Sequence, residues 1–268
     1  MRSARWVPHV LGVTVAVLGV APAPALAQDE APAARPAVEI FSRSLFHMAA
    51  ERITNADPRL EWEANFGGAL DVVDYGVGRF AFEANYQVLM GKELRAFDPN
   101  QGNYILAGLL SARLGPTEVA AVLYHQSRHL SDRPKDAPVA WNAFGARVRR
   151  RFPYRAATLD ARADLRTVTQ KSTVDYSWEL DVRVRADAPV RAGVGVLAAA
   201  GVRHYGVDGT VDRSGQTGYR VEVGIRLEGR AGAAELFVGA ERRVDPYPLE
   251  FGTADWVTAG FRLMSRQE

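Results

Sequence analysis

The chain of 268 residues contains no cysteine, so disulfide bonds cannot hold an exported form of it together. After residue 27 it also has no run of about 18 consecutive apolar residues, which a membrane-spanning helix needs. It lacks an excess of charge of either sign, with 33 basic and 31 acidic side chains. The composition therefore gives no reason to expect a disulfide scaffold, a helical membrane protein or a nucleic-acid partner.

The first 27 residues have the pattern of a secretory signal peptide. Arg2 and Arg5 give a positive start, residues 10–20 form a short apolar core, and residues 25–27 read Ala-Leu-Ala. Small residues at both ends of such a tripeptide are typical of a signal-peptide cleavage site. We therefore expect residues 1–27 to be removed during export.

The remaining chain divides into a short leader and one long domain. Residues 28–37 are rich in proline and alanine, which predicts a flexible leader, and residues 38–268 are assigned to the domain. Loss of the two signal-peptide arginines leaves 31 basic and 31 acidic side chains, so the exported chain has no net charge. Its basic and acidic residues therefore have partners of opposite sign available.

Apolar and charged residues alternate through most of the domain. Residues 178–185 place tryptophan, leucine and two valines on one face, and glutamate, aspartate and two arginines on the other. Residues 219–228 and 157–166 repeat the pattern. A period of two residues predicts β-strands with one apolar and one polar face.

The spacing of these segments predicts an antiparallel β-barrel of twelve strands. Short and long connections alternate along the chain, as they do in bacterial outer-membrane barrels with short periplasmic turns and longer outer loops. An even number of strands leaves both ends in the periplasm. The predicted strands are 38–48, 60–70, 77–90, 104–114, 117–130, 139–151, 154–168, 175–187, 189–201, 217–229, 232–243 and 254–265. The predicted tight turns are 71–76, 115–116, 152–153, 188 and 230–231, and the predicted longer connections are 49–59, 91–103, 131–138, 169–174, 202–216 and 244–253.

A soluble β-sandwich or periplasmic lipid carrier also alternates, so the period alone leaves that alternative open. The length of the strands favours the membrane barrel, because many have ten or more residues and soluble strands average five or six. Charges of both signs on the inner faces can form ion pairs across a narrow lumen. We therefore expect an all-β transmembrane barrel in the bacterial outer membrane, inserted by the barrel assembly machinery.

One strand carries a histidine and a serine of the kind that a hydrolytic site uses. On the strand 117–130 the odd-numbered face begins with Val119 and Leu123, which predicts contact with lipid, and continues with His125 and Ser127. Two residues along a strand are about 6.6 Å apart on the same face. A histidine there can remove the proton of a serine nucleophile. Asn142 is the polar residue on the outer face of the next strand and can orient the imidazole.

The residues His125-Gln126-Ser127, followed by Trp141-Asn142, resemble those of outer-membrane phospholipase A, a twelve-stranded barrel with a Ser-His-Asn triad on its outer wall. The resemblance implies His125 as base, Ser127 as nucleophile and Asn142 as orienting residue. It also implies calcium dependence, membrane lipid as substrate and activation by homodimerisation. The chain departs from that family after the serine, where arginine and histidine replace Asn-Gly. Lipid A deacylase barrels have a related His-x-Ser pair.

A second resemblance covers residues 124–132, Tyr-His-Gln-Ser-Arg-His-Leu-Ser-Asp. They are similar to the His-Gln-Ser-x-His-Leu-x-Asp signature of an uncharacterised family of exported bacterial β-rich proteins, and residues 56–59, Ala-Asp-Pro-Arg, fit the same family. This resemblance supports export and a β-fold and is neutral on catalysis.

Three functions remain open at the level of the sequence, the third being a soluble periplasmic lipid binder. The first is a serine-type acyl hydrolase acting on phospholipid or lipopolysaccharide at the outer leaflet. The second is a non-enzymatic barrel, such as a small pore, an envelope-structural protein or an assembly factor, in which His125 and Ser127 would be polar contacts at the rim of the barrel.

Overall fold

The computed structural model describes residues 38–134 and 137–265. The predicted signal peptide and leader lie outside the described residues. In the described part of the chain, no helix is both long and apolar enough to cross a membrane. The described residues form twelve strands: β1 (Glu39–Ile53), β2 (Trp62–Asp74), β3 (Arg79–Gly91), β4 (Asp98–Leu114), β5 (Thr117–Leu130), β6 (Val139–Tyr154), β7 (Ala157–Ser172), β8 (Tyr176–Arg191), β9 (Val194–Val207), β10 (Gln216–Glu228), β11 (Gly232–Val244) and β12 (Thr253–Ser265).

The twelve strands close into a single antiparallel barrel. Each strand pairs with its neighbours in the chain, and β1 pairs with β12, where His47 lies opposite Met264. Closure satisfies the backbone groups that an open sheet leaves unpaired at its edges, which is what a sheet in contact with lipid requires. The prediction of a twelve-stranded all-β barrel is confirmed.

The two faces of the wall follow the period of two read in the sequence. On β5 the even-numbered side chains from Ala120 to Arg128 are buried in the lumen, whereas outward Leu123 is 65% exposed. Every strand carries a similar outer row of apolar side chains. Exposed examples are Phe82, Leu110, Leu165, Val184, Val223, Leu236 and Val257. The surface of the barrel therefore suits hydrocarbon rather than water.

The lumen is crossed by arginine–carboxylate networks. Glu235, which is fully buried, receives ion pairs from Arg185, Arg226 and Arg262 at 2.5–2.9 Å. Arg220 bridges Glu51, Glu222 and Glu241 in the same way. Buried charges are tolerated when they are paired and hydrogen bonded. The nearly equal numbers of basic and acidic residues therefore allow charged side chains to fill the lumen as ion pairs.

An apolar cluster lies near the end of the barrel with the longer loops. Its buried residues are Ile53, Leu60, Leu89 and Trp256. An interior cavity of about 1260 Å³ lies within the lumen, and its lining extends to the β8–β9 turn at the opposite end.

Several predicted boundaries were wrong: β1 extends to Ile53 rather than to residue 48, and β4 begins at Asp98 rather than at residue 104. The turns expected at residues 152–153 and 188 lie at 155–156 and 192–193, because Pro153 and Pro189 are accommodated inside strands, the latter beside a bulge. The new turns contain Arg155 and Gly193 with positive φ. The expected long connection 169–174 has only three residues, 173–175, so short and long connections do not alternate at that step.

Candidate functional site

The outer face of β5 places three polar side chains in one row near the loop end. His125, Ser127 and His129 alternate with buried Gln126 and Arg128, so they point away from the lumen. The predicted orientation of His125 and Ser127 toward the outside of the wall agrees with the strand's burial pattern. The row lies between the apolar part of the same face and the loop end of the strand.

His125 and Asn142 are brought together by strand pairing. They are direct partners in the antiparallel register of β5 and β6. His125 Nδ1 and Asn142 Oδ1 are 2.7 Å apart, which is a short hydrogen bond. Because an amide oxygen can only accept, Nδ1 carries the proton and Nε2 presents its lone pair. This is the tautomer that a general base requires.

The hydroxyl of Ser127 has a different partner from the one expected. Ser127 Oγ is 3.2 Å from His129 Nε2, toward the loop end of the strand rather than toward His125. The His129 ring packs edge-on against Tyr104, with centroids 5.4 Å apart. Ser127 thus lies between two imidazoles on the same face of β5.

A β-bulge beside Asn142 contributes a residue that the period-two pattern missed. The pairing of β6 with β7 shifts between Asn142 and Ala143, so Thr169 is an extra residue and Gln170 lies opposite Asn142. Asn142 Nδ2 donates to Gln170 Oε1 at 3.0 Å, and Thr169 Oγ1 donates to the Asn142 carbonyl at 3.3 Å. Regular alternation carries no signal for a bulge, which is why Gln170 was not a candidate.

A buried network supports the site from inside the wall. The indole of Trp141 donates a hydrogen bond to Glu179, and Arg166 donates to the other oxygen of Glu179 at 2.7 Å. The Arg166 guanidinium also stacks over Tyr124 at 4.0 Å. Trp141 and Tyr124 flank Asn142 and His125 in sequence, so the network holds the β5–β6 pair in register.

A shallow apolar groove of about 470 Å³ lies on the wall beside the polar row. Its floor includes Gly68 and Ala84, which belong to the hydrogen-bonded row of His125 through Leu106. Tyr104, which is paired with Ser127 in register, stands at one side. Small side chains at these positions leave a depression in an otherwise bulky apolar surface.

The described residues do not assemble a calcium site. Within residues 38–134 and 137–265, no group of three or more histidine, aspartate or glutamate side chains is placed to hold a metal ion. The carboxylate nearest in sequence, Asp132, forms an ion pair with Arg95 at 3.3 Å.

The outer loops are tied to one another by ion pairs. Arg213 contacts Asp175 and Asp245, which belong to two other loops, at 2.5–2.9 Å. In the β1–β2 loop, the hydrogen bonds from Arg59 lower the pKa of Asp57 below its usual value. These pairs keep the loop end compact above the site.

Comparisons with known proteins concern the fold. No protein-family model and no curated protein matches the chain. Among solved structures, the Salmonella typhi outer-membrane phospholipase dimer with bound calcium is 11% identical, with a TM-score of 0.51, covering 83% of this chain and 90% of that one. An active-site mutant of Escherichia coli outer-membrane phospholipase A is 10% identical, with a TM-score of 0.53, covering 85% and 91%.

The closed wall, the outward apolar rows and the paired charges of the lumen agree with this likeness. At 10–11% identity the likeness establishes the architecture. The chain is a twelve-stranded β-barrel of the bacterial outer membrane.

Proposed function

We propose that this barrel is a serine-type acyl hydrolase that cleaves phospholipid or lipopolysaccharide at the outer leaflet. The observation that carries the proposal is the 2.7 Å hydrogen bond between His125 and Asn142 on the outer wall, two residues from Ser127. Its acceptor, the amide oxygen, gives the imidazole the tautomer of a general base. A polar contact at the rim has no need of that orientation.

The reaction begins with rotation of the Ser127 side chain about χ1, which turns Oγ from His129 toward His125 Nε2. The hydroxyl oxygen attacks the ester carbonyl while Nε2 takes its proton, giving a tetrahedral intermediate. When the intermediate collapses, the alcohol leaves with the proton from His125, and the acyl group stays on Ser127. Water then attacks the acyl-enzyme by the same route and releases the fatty acid.

His129 supplies the donor that the oxyanion needs. With Oγ turned toward His125, the His129 Nε2 that lies 3.2 Å from Ser127 Oγ in the structure is left beside the reacting carbonyl. An N–H there stabilises the negative charge that develops in the transition state, which is the largest contribution in many acyl transfers. This role replaces the flexible Asn-Gly segment that follows the serine in the phospholipase.

Lipid is the substrate class that fits the location. The site faces hydrocarbon and headgroups, and the groove floored by Gly68 and Ala84 is apolar, so it can take part of an acyl chain. A lipid reaches Ser127 sideways from the membrane, without passing through the lumen. The fold resembles that of the phospholipase dimer with bound calcium. The assay should therefore vary both the calcium concentration and the extent of homodimerisation.

The test is ester hydrolysis by the refolded barrel in detergent micelles, with phospholipid and lipopolysaccharide, with and without calcium. Ser127→Ala should abolish the activity, and Asn142→Ala should lower kcat about 10- to 100-fold, because it frees the imidazole to adopt the wrong tautomer. Thr167→Ala, which removes an outward hydroxyl from β7, is the matched control and should retain full activity.

Absence of hydrolysis by the folded wild-type barrel on both substrates would reject the proposal. The non-enzymatic barrel would then be the better account, with His125, Ser127 and Asn142 as a structural contact between β5 and β6. Equal activity in wild type and Ser127→Ala would reject Ser127 as the nucleophile.

A further inference from the structure

We infer that Gln170 is a positioning residue that fixes the tautomer of His125 through Asn142, and that the bulge at Thr169 exists in this site to present it. The inference deepens the proposed hydrolase and rests on it for its catalytic consequence. Its structural part, the control of a histidine tautomer, stands independently of activity.

An asparagine alone does not select a tautomer. Its amide can turn by 180° and offer either the oxygen or the NH₂ group to an imidazole. The first orientation leaves the proton on His125 Nδ1, and the second places it on Nε2, where the ring cannot accept a proton from Ser127. Something must therefore distinguish the two ends of the Asn142 amide.

Gln170 makes that distinction when its own NH₂ group faces lipid phosphates, which can only accept a hydrogen bond, because its Oε1 is then left for Asn142. Gln170 Oε1 accepts a hydrogen bond from Asn142 Nδ2 at 3.0 Å, on the side of the amide away from His125. With Nδ2 held there, Oδ1 faces Nδ1 of the imidazole at 2.7 Å. The three side chains form a chain of two hydrogen bonds that runs in one direction across β7, β6 and β5.

The bulge determines which residue stands opposite Asn142. Val168 pairs with Ala143, so an unbroken register would place Thr169 opposite Asn142. The extra residue moves Gln170 into that position on the outer face, while the Thr169 hydroxyl bonds to the Asn142 carbonyl at 3.3 Å. Bulges commonly occur beside active sites, where they redirect one side chain.

The hydrogen bond to Gln170 also satisfies the amide of Asn142 at the lipid interface. Gln170 is exposed on the outer wall, where an unpaired amide of Asn142 would lack water on the hydrocarbon side. Gln170 satisfies the donor of Asn142 and leaves its own NH₂ group to the headgroups. A glutamate would preserve the acceptor, whereas a methionine of similar length would remove it.

The first measurement is the tautomer itself. Nitrogen NMR of the refolded barrel with ¹⁵N-labelled histidine, with His125 assigned by its loss in His125→Gln, distinguishes protonated Nδ1 from protonated Nε2. Wild type and Gln170→Glu should show His125 protonated on Nδ1. Gln170→Met should show a mixture or protonation on Nε2. An unchanged His125 spectrum in folded Gln170→Met would overturn the inference.

The second measurement is catalytic. Gln170→Met should lower kcat about 10-fold or more with little change in KM, since the base is misoriented while the lipid surface is unaltered. Gln170→Glu should keep kcat near the wild-type value, because the carboxylate still accepts from Asn142. It should move the acid limb of the pH profile to higher pH, because the added negative charge favours the imidazolium form of His125. Thr167→Met, two residues before the bulge and opposite Phe144, is the control and should match wild type.

The two measurements separate the two proposals. An inactive wild-type barrel with the expected tautomer change would reject the hydrolase and keep the role of Gln170 in orienting the histidine. An active, Ser127-dependent barrel whose kcat is equal in wild type and Gln170→Met would keep the hydrolase and overturn the inference about Gln170.

Discussion

Removing one partner of the buried pair between Arg166 and Glu179 should destabilise the barrel far more than removing both. The two side chains are each 1% exposed and lie 2.7 Å apart beneath the β5–β6 site. Loss of one partner leaves an uncompensated buried charge, which costs about 3–5 kcal/mol. We therefore expect Glu179→Met and Arg166→Met each to lower the free energy of unfolding by that amount.

The double variant Arg166→Met/Glu179→Met removes both charges together. Replacing a buried ion pair by apolar side chains is often close to neutral. Here Trp141 also loses the acceptor for its indole N–H, which costs about 1–3 kcal/mol. The double variant should therefore lose about 1–3 kcal/mol, well below the sum of the two single losses.

The assay is denaturant unfolding of the barrel in lipid vesicles, followed by tryptophan fluorescence, with all variants compared at one lipid composition. The ion pair between Arg242 and Asp255 is the control, because its side chains are 45% and 52% exposed, and breaking it should cost at most about 1 kcal/mol. If the two single losses simply added in the double variant, the argument that this pair is coupled through burial would be refuted.

Three further outcomes are expected. His129→Gln, which keeps an N–H donor near Ser127, should retain more activity than His129→Leu, and equal kcat values in a lipid-ester assay would reject the oxyanion role. Arg213→Gln breaks the ion pairs between the outer loops, so protease added to intact vesicles should cleave residues 208–215 faster; unchanged cleavage would show that packing alone holds the loops. Gly206→Ala places a methyl group against Trp178 Nε1, so the indole must move. The expected cost is about 1–3 kcal/mol with a shift in tryptophan emission, and an unchanged spectrum and stability would contradict this contact.

The sequence alone determined the architecture, because a barrel wall repeats one simple rule. Alternating apolar and polar residues can satisfy lipid on one side and paired charges on the other only as strands. The pattern in residues 178–185 and 219–228 was therefore enough to predict strands, and the turn spacing was enough to count twelve. The orientation of His125 and Ser127 followed from the same parity, since each lies on the face of Leu123.

Only the tertiary structure decided how the polar residues meet, because hydrogen bonds depend on register and rotamer. Two turns were misplaced, since β6 continues through Pro153 and β8 continues through Pro189, past the breaks predicted at 152–153 and 188. The pairing of His125 with Asn142 required the β5–β6 register, and Ser127 turned out to be bonded to His129. Gln170 entered the site through a one-residue bulge, an irregularity that no periodic pattern encodes.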